Sequence, residues 1–125
     1  MSTSLKLVTL IIGTATLESA ESKIDFESFL SIAKLITNYH HERWDGSGYP
    51  EGLVGEEIPI SARIMALADV YDALRSKRPY KEAMSHEVSK SIIISERGKH
   101  FDPRVVDAFL ETESKFKEIV NTHQD

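Results

Sequence analysis

At 125 residues, the chain is long enough to bury one core without disulfides or a structural metal, and its net charge of -5 argues against a broad electrostatic footprint for a nucleic-acid polymer. It contains no cysteine, which excludes thiolate nucleophiles and thiolate zinc sites; any metal must sit on His, Asp or Glu. A hydrophobic content of 41% beside 28% charged residues is that of a globular domain and not of a disordered or fibrous chain.

Leu7, Leu10, Ile11 and Leu17 suit a helical stripe over residues 4–19, although Val8 and Ile12 tolerate a strand as well. The same apolar run after Lys6 has the outline of a signal peptide. Thr9, Gly13, Thr14 and Thr16 interrupt it, no small-residue cleavage site follows, and it is too short to span a bilayer. The expectation is a helix packed on the domain, no membrane span and a cytoplasmic location.

Asp25 is placed to cap the next helix, and Phe26, Phe29, Leu30, Ala33, Leu35 and Ile36 recur at three- and four-residue spacing. They predict an amphipathic helix over about 26–41 with His40 and His41 on its last turn. Asp45-Gly46-Ser47-Gly48 cannot easily continue that helix, and Pro50, Gly52 and Gly55 extend the break into a long loop carrying Trp44 and Tyr49. Pro59 suits the first turn of the following helix, with Ser61 an alternative cap, and the helix runs to about Arg75. Its two stripes are Ile64, Leu67, Tyr71 and Leu74, and the small and acidic set Ala62, Ala66, Asp69, Asp72 and Ala73. Two apposed faces suggest a central helix.

Residues 75–84 form a basic connector broken by Pro79. Ser85 caps a helix over about 86–97 that turns Val88, Ile92, Ile93 and Ile94 inward and ends near Gly98. Asp102-Pro103 starts a final helix whose apolar positions run from Val105 through Phe109 to Phe116 and Val120. With no strand alternation and no repeat, the reading is all-α, about five helices in a single domain.

Neighbouring histidines on a helix point about 100° apart, so at a helix end they serve two adjacent metals, or one metal and its ligand, more readily than one ion face-on; two surface histidines are the plainer reading. Asp69 among alanines, with Asp72 on the same face, needs a partner, and imidazole with carboxylate suits a divalent ion; salt bridges and caps are the alternative. Arg78 and Lys81, in a local basic cluster with Arg75 and Lys77, can hold phosphate or form a solvated loop. Glu42, Arg43 and Asp45 can pair with one another. Tyr49 offers a stacking ring and a hydroxyl donor, and Trp44 either plugs the core or joins it at the lip.

The segments HHERWDGSGYP, ARIMALADVYDALRSKRPYK and GKHFDPRVVDAFL, in this order, closely resemble the C-terminal half of HD-GYP domains, a branch of the HD phosphohydrolase superfamily. The resemblance covers about residues 26–120 and more weakly the start. It implies a truncated HD-domain-like helical bundle, a divalent-metal site with iron or manganese before zinc, and hydrolysis of cyclic di-GMP to pGpG or GMP. By motif position it implies His40, His41 and Asp69 as metal ligands, Tyr49, Arg78 and Lys81 as substrate contacts, and Asp72 as support behind the ligands.

The chain departs from the family pattern. It has no His-Asp dipeptide, lacks the lysine that follows it and the upstream Glu and His ligands, and carries Thr9 where a histidine is expected. The expectation is a partial HD-GYP-like domain, incomplete or inactive alone, that associates with itself or with a chain supplying the missing half. The alternative is a non-catalytic module in bacterial signalling that binds a cyclic dinucleotide or a protein.

Overall fold

A computed structural model describes residues 26–123, which form five α-helices and, among the described residues, no strand. These are α1 (Phe26–Tyr39), α2 (Ile60–Arg75), α3 (His86–Ser95), α4 (Pro103–Glu111) and α5 (Glu113–His123), with a short 3₁₀ turn at Gly55–Glu57. The helix expected over residues 4–19 lies outside the described residues.

The second helix is the central element expected from its two stripes, packing against α1, α3 and α4. Leu67, Ala68 and Tyr71 are fully buried, and Ala62 and Ala66 nearly so. Short alanine side chains let neighbouring backbones approach closely, while Leu67 and Tyr71 fill the volume between them. The N-terminal end of α2 is held to α4 by Arg63, whose guanidinium donates to the Ile58 carbonyl at 2.8 Å and to the buried Asp102 carboxylate at 2.7 Å. Asp102 also accepts the Arg104 backbone N–H at 2.9 Å, so one carboxylate caps α4 and anchors it to α2.

Two boundaries and one buried face differ from expectation. The first helix ends at Tyr39, and His40 and His41 occupy the turn beyond it, although the His40 N–H still reaches the Ile36 carbonyl at 3.0 Å. The final helix is two helices. Thr112 ends α4 by donating its N–H and hydroxyl to the Ala108 carbonyl, and its own carbonyl accepts the Lys115 and Phe116 N–H groups that open α5. The bend returns Phe116 and Val120 to the core that one straight helix would carry them past. In α3, Val88 and Ile94 are exposed and not inward, because the ten-residue helix buries one line only, His86, Ser89 and Ile93.

An aromatic cluster closes the centre. The Tyr71 ring lies 5.5 Å from both Phe109 and Phe116, which are 5.1 Å from each other edge to face. A polar chain crosses the same region. Arg75 donates to the Tyr71 hydroxyl at 2.8 Å and to the Asn121 side chain at 2.7 Å, and Tyr71 in turn meets His86 Nδ1 at 2.9 Å. Because Arg75 only donates, the Tyr71 proton is free to point at Nδ1, and Nε2–H then donates to Glu113 at 3.3 Å, where Lys90 also donates. Helices α2, α3 and α5 are thereby joined through a chain of side-chain hydrogen bonds.

Two predictions follow from this packing. Phe109→Ala empties the aromatic cluster and is expected to lower the unfolding free energy by ~3–5 kcal/mol, read from urea denaturation. The hydrogen bond from Lys90 holds the Glu113 carboxyl below its ordinary 4.5, against partial desolvation, and His86 assists. A depressed carboxyl stabilises fully above its unfolded-state value and loses that contribution as pH falls through its folded value. Wild type should therefore lose thermal stability more steeply than Glu113→Gln as pH is lowered below 4.5; parallel curves would contradict the assignment.

Candidate functional site

Directly after α1 the chain makes a compact loop that is organised by a buried carboxylate. Glu42, 2% exposed, accepts the Glu51 N–H at 2.8 Å on one oxygen and the Leu53 N–H at 3.0 Å on the other. Both loop amides thus have an ionic acceptor in place of water, a contact worth roughly 1.5–3 kcal/mol each. Glu42 turns inward and does not pair with Arg43 or Asp45, as its sequence neighbourhood had suggested.

The loop folds back so tightly that Gly48 rests on the preceding backbone. A Cβ there would stand 2.5 Å from the Arg43 nitrogen and 2.5 Å from the His41 carbonyl oxygen. Only a hydrogen fits. Asp45 accepts the Ser47 N–H at 2.9 Å and its hydroxyl at 2.6 Å; these bonds hold its carboxyl below the usual range. Two further backbone bonds, from Trp44 N–H to the His100 carbonyl at 3.1 Å and from Asp45 N–H to the Lys99 carbonyl at 2.9 Å, fasten the loop to the turn before α4. Trp44 sits half-buried against this seam under the Arg63 guanidinium, 5.9 Å from its ring centre.

Between the loop and α2 lies a cleft of about 350 Å³ lined by His40, His41, Arg43, Ser47, Gly48, Tyr49, Asp69 and His100, with Ala66, Val70 and Ala73 as its apolar wall. The His40 and His41 rings are 4.0 Å apart and tilted by 40°, and the Tyr49 ring stacks on His41 at 4.9 Å. Tyr49 is 61% exposed, which makes it a lip and not a core plug. His40 Nδ1 lies 2.8 Å from the Ile36 carbonyl, which can only accept. The proton of neutral His40 therefore sits on Nδ1, and the lone pair is left on Nε2.

Four of the residues singled out from sequence, His40, His41, Asp69 and Tyr49, thus meet in one cleft from three separate elements. Arg78, Lys81 and Asp72 are not among its lining residues. Arg78 is exposed and pairs by backbone with Lys81, whose ammonium donates to the carbonyls of Leu74, Ser76 and Glu82 at 3.1, 3.1 and 2.9 Å. A cation on the last carbonyls of α2 complements the helix dipole there.

Sequence reasoning did not single out His100 or give Arg43 a place in the cleft. Burial holds the His100 pKa below its ordinary 6.5, the nearby Arg43 charge adds to this, and Glu96 and Asp45 oppose it. The ring is accordingly neutral at pH 7. No local pattern around His100 could reveal its position, because the bonds that bring it to the cleft join residues more than fifty positions apart.

The donor chemistry of His40, His41 and Asp69 fits a divalent cation: an imidazole with its lone pair on Nε2, a second imidazole and a carboxylate on a wall of small residues. Their ligand atoms are not drawn together to within 4.8 Å of one another; among the described residues that spacing is met by His86, Glu87 and Glu113. There Glu113 already accepts from Lys90 and His86, so the second group is explained by its own hydrogen bonds.

Residues 15–105 match the HD-domain family. The chain belongs to that family, and this stretch is an HD-domain phosphohydrolase region. It is 53% identical over 116 residues to a probable cyclic di-GMP phosphodiesterase of Vibrio cholerae, covering 92% of this chain and 26% of the relative. It is 55% identical over 114 residues to a cyclic di-GMP phosphodiesterase of the same organism, covering 91% and 23%. A 3'3'-cGAMP-specific phosphodiesterase from Vibrio cholerae is 47% identical over 87 residues, covering 70% of this chain and 17% of the relative. The chain spans about a quarter of the length of the first two relatives. The HD phosphohydrolase family is generally metal-dependent. No helix among the described residues is long and apolar enough to cross a membrane.

The close fit at Gly48 makes a direct prediction. Gly48→Ala presses a methyl group onto backbone atoms that have no side-chain freedom to move aside, and should cost ~1–3 kcal/mol. The measurement is the shift in urea midpoint. A midpoint at the wild-type value would show that the loop does not rest on residues 41–43.

Proposed function

We propose that the chain contributes the His40–His41 side of a metal-dependent cyclic-dinucleotide phosphodiesterase site. The observation that carries this reading is the convergence of His40, His41, Asp69 and Tyr49 on one cleft in a member of the HD-domain family. The high identity to phosphodiesterases of cyclic di-GMP supports that substrate.

In this reading His40 offers Nε2 with its tautomer set by the Ile36 carbonyl, an arrangement in which the partner of one ring nitrogen orients the other as a ligand. His41 and Asp69 complete the donor set, and Asp72, one turn from Asp69 on α2, stands behind it. A divalent ion, iron or manganese before zinc, supplies Lewis acidity toward the phosphodiester when bound. Stacked on His41 at the lip, Tyr49 presents a ring face to a base and a hydroxyl to a phosphate oxygen. Arg78 and Lys81, in the connector after α2, are the further ligand contacts that the motif pattern implies.

A second reading is favoured by one observation, that the ligand atoms of His40, His41 and Asp69 are not drawn together to within 4.8 Å of one another. Three ligands can hold a single catalytic ion but do not build a multi-metal cage. The chain would then bind a cyclic dinucleotide without cleaving it.

Metal content measured on the purified full chain, together with cyclic di-GMP turnover under added iron or manganese, separates these outcomes. Stoichiometric metal with formation of pGpG or GMP, both lost in His41→Ala and Asp69→Ala, is expected for the enzyme. Binding without turnover supports the second reading. Absence of both metal and dinucleotide binding would sink the proposal.

A further inference from the structure

A cyclic dinucleotide carries two phosphodiester charges, and a side-chain cation on the cleft wall offsets one of them beside a bound divalent ion. Arg78 and Lys81 stand outside the wall itself: the three ammonium donors of Lys81 are directed at three backbone carbonyls, and Arg78 is exposed outside the lining. Arg43 is the one Lys or Arg among the described residues that line the cleft.

The position of Arg43 suits the task. Its guanidinium stands 4.0 Å from Asp45 Oδ1 and 3.7 Å from Glu96 Oε2, both longer than a hydrogen bond. The two carboxylates bracket the side chain without saturating its fork of donors. Arg43 is also tied in register: Gly46 N–H donates to its carbonyl at 2.9 Å, and the next residue, Trp44, donates to the carbonyl of His100, which also lines the cleft. His40 and His41 are assigned above to a metal, which leaves Arg43 and His100, with the Tyr49 hydroxyl at the lip, as donors available for an anion.

We propose that Arg43, assisted by His100, contacts a phosphodiester of the bound cyclic dinucleotide. The inference rests on the reading of the cleft as a cyclic-dinucleotide site. Guanidinium geometry matches two phosphate oxygens at once, which an ammonium does not. Glu96 and Asp45 hold the fork at the cleft wall while it is empty, and a phosphate takes over one of these weak pairings on binding.

The test is equilibrium titration of the full chain, supplied with manganese, with cyclic di-GMP and separately with 3'3'-cGAMP, which carries the same two phosphodiesters and one different base. Arg43→Ala should weaken both ligands equally, by ~10- to 100-fold, the value of a charged hydrogen bond. Arg43→Lys should recover part of the loss, and the affinity of Arg43→Ala should fall less steeply with added salt than that of wild type. Manganese content and thermal midpoint near wild type show that fold and metal site are intact in the variant. Wild type that binds neither ligand overturns the cleft reading, and this inference with it. Wild type that binds while Arg43→Ala stays within about twofold overturns the inference alone, as does a loss confined to one of the two ligands.

Discussion

The cleft depends on a single buried charge. Glu42 follows the two histidines immediately, and its carboxylate draws in the amides of Glu51 and Leu53. Ion and amides satisfy one another, so the loop between α1 and α2 is folded over the backbone of residues 41–43 instead of standing in solvent. Gly48 allows the contact, and Tyr49 is delivered onto the His41 ring as a consequence. Without the inward carboxylate, two amides would lack their ionic acceptor and the lip would have no fixed position.

A second constraint works from the opposite side. Arg63 and Asp102 join the starts of α2 and α4, and the backbone bonds from Trp44 and Asp45 to residues 99–100 join the loop to the same region. The turn before α4 is therefore held twice. His100 is carried on it to the cleft that Asp69 also lines. The central helix serves both regions, with Leu67 and Tyr71 in the core and Asp69 and Ala73 on the cleft. The 3.6-residue period separates these faces without any distortion of the helix.

Charge distribution within the chain distinguishes two kinds of cation. Lys81 is a structural cap on the end of α2, where carbonyl oxygens accumulate partial negative charge. Arg43 is bracketed loosely by carboxylates at the cleft. From the sequence Lys81 is the expected ligand contact and Arg43 only a pairing partner for Glu42 or Asp45. Their difference is a matter of where the flexible stems are led by the backbone, which no spacing rule conveys.

The all-helical class, the central role of α2, the caps at Ser85 and Asp102, and the family were all legible in the residues, because each depends on local periodicity, capping chemistry or a contiguous motif. His40, His41, Asp69 and Tyr49 were legible as candidates for the same reason. What the sequence by itself determined is thus the set of helices and the chemical groups they carry. Tertiary structure alone decided that Thr112 divides the last helix, that Glu42 points inward, that His100 and Arg43 reach the cleft and that Lys81 does not line it. The places of Glu42, His100 and Arg43 rest on contacts with other segments of the chain, and the bend at Thr112 goes with the return of Phe116 and Val120 to the core. Local propensity specifies neither.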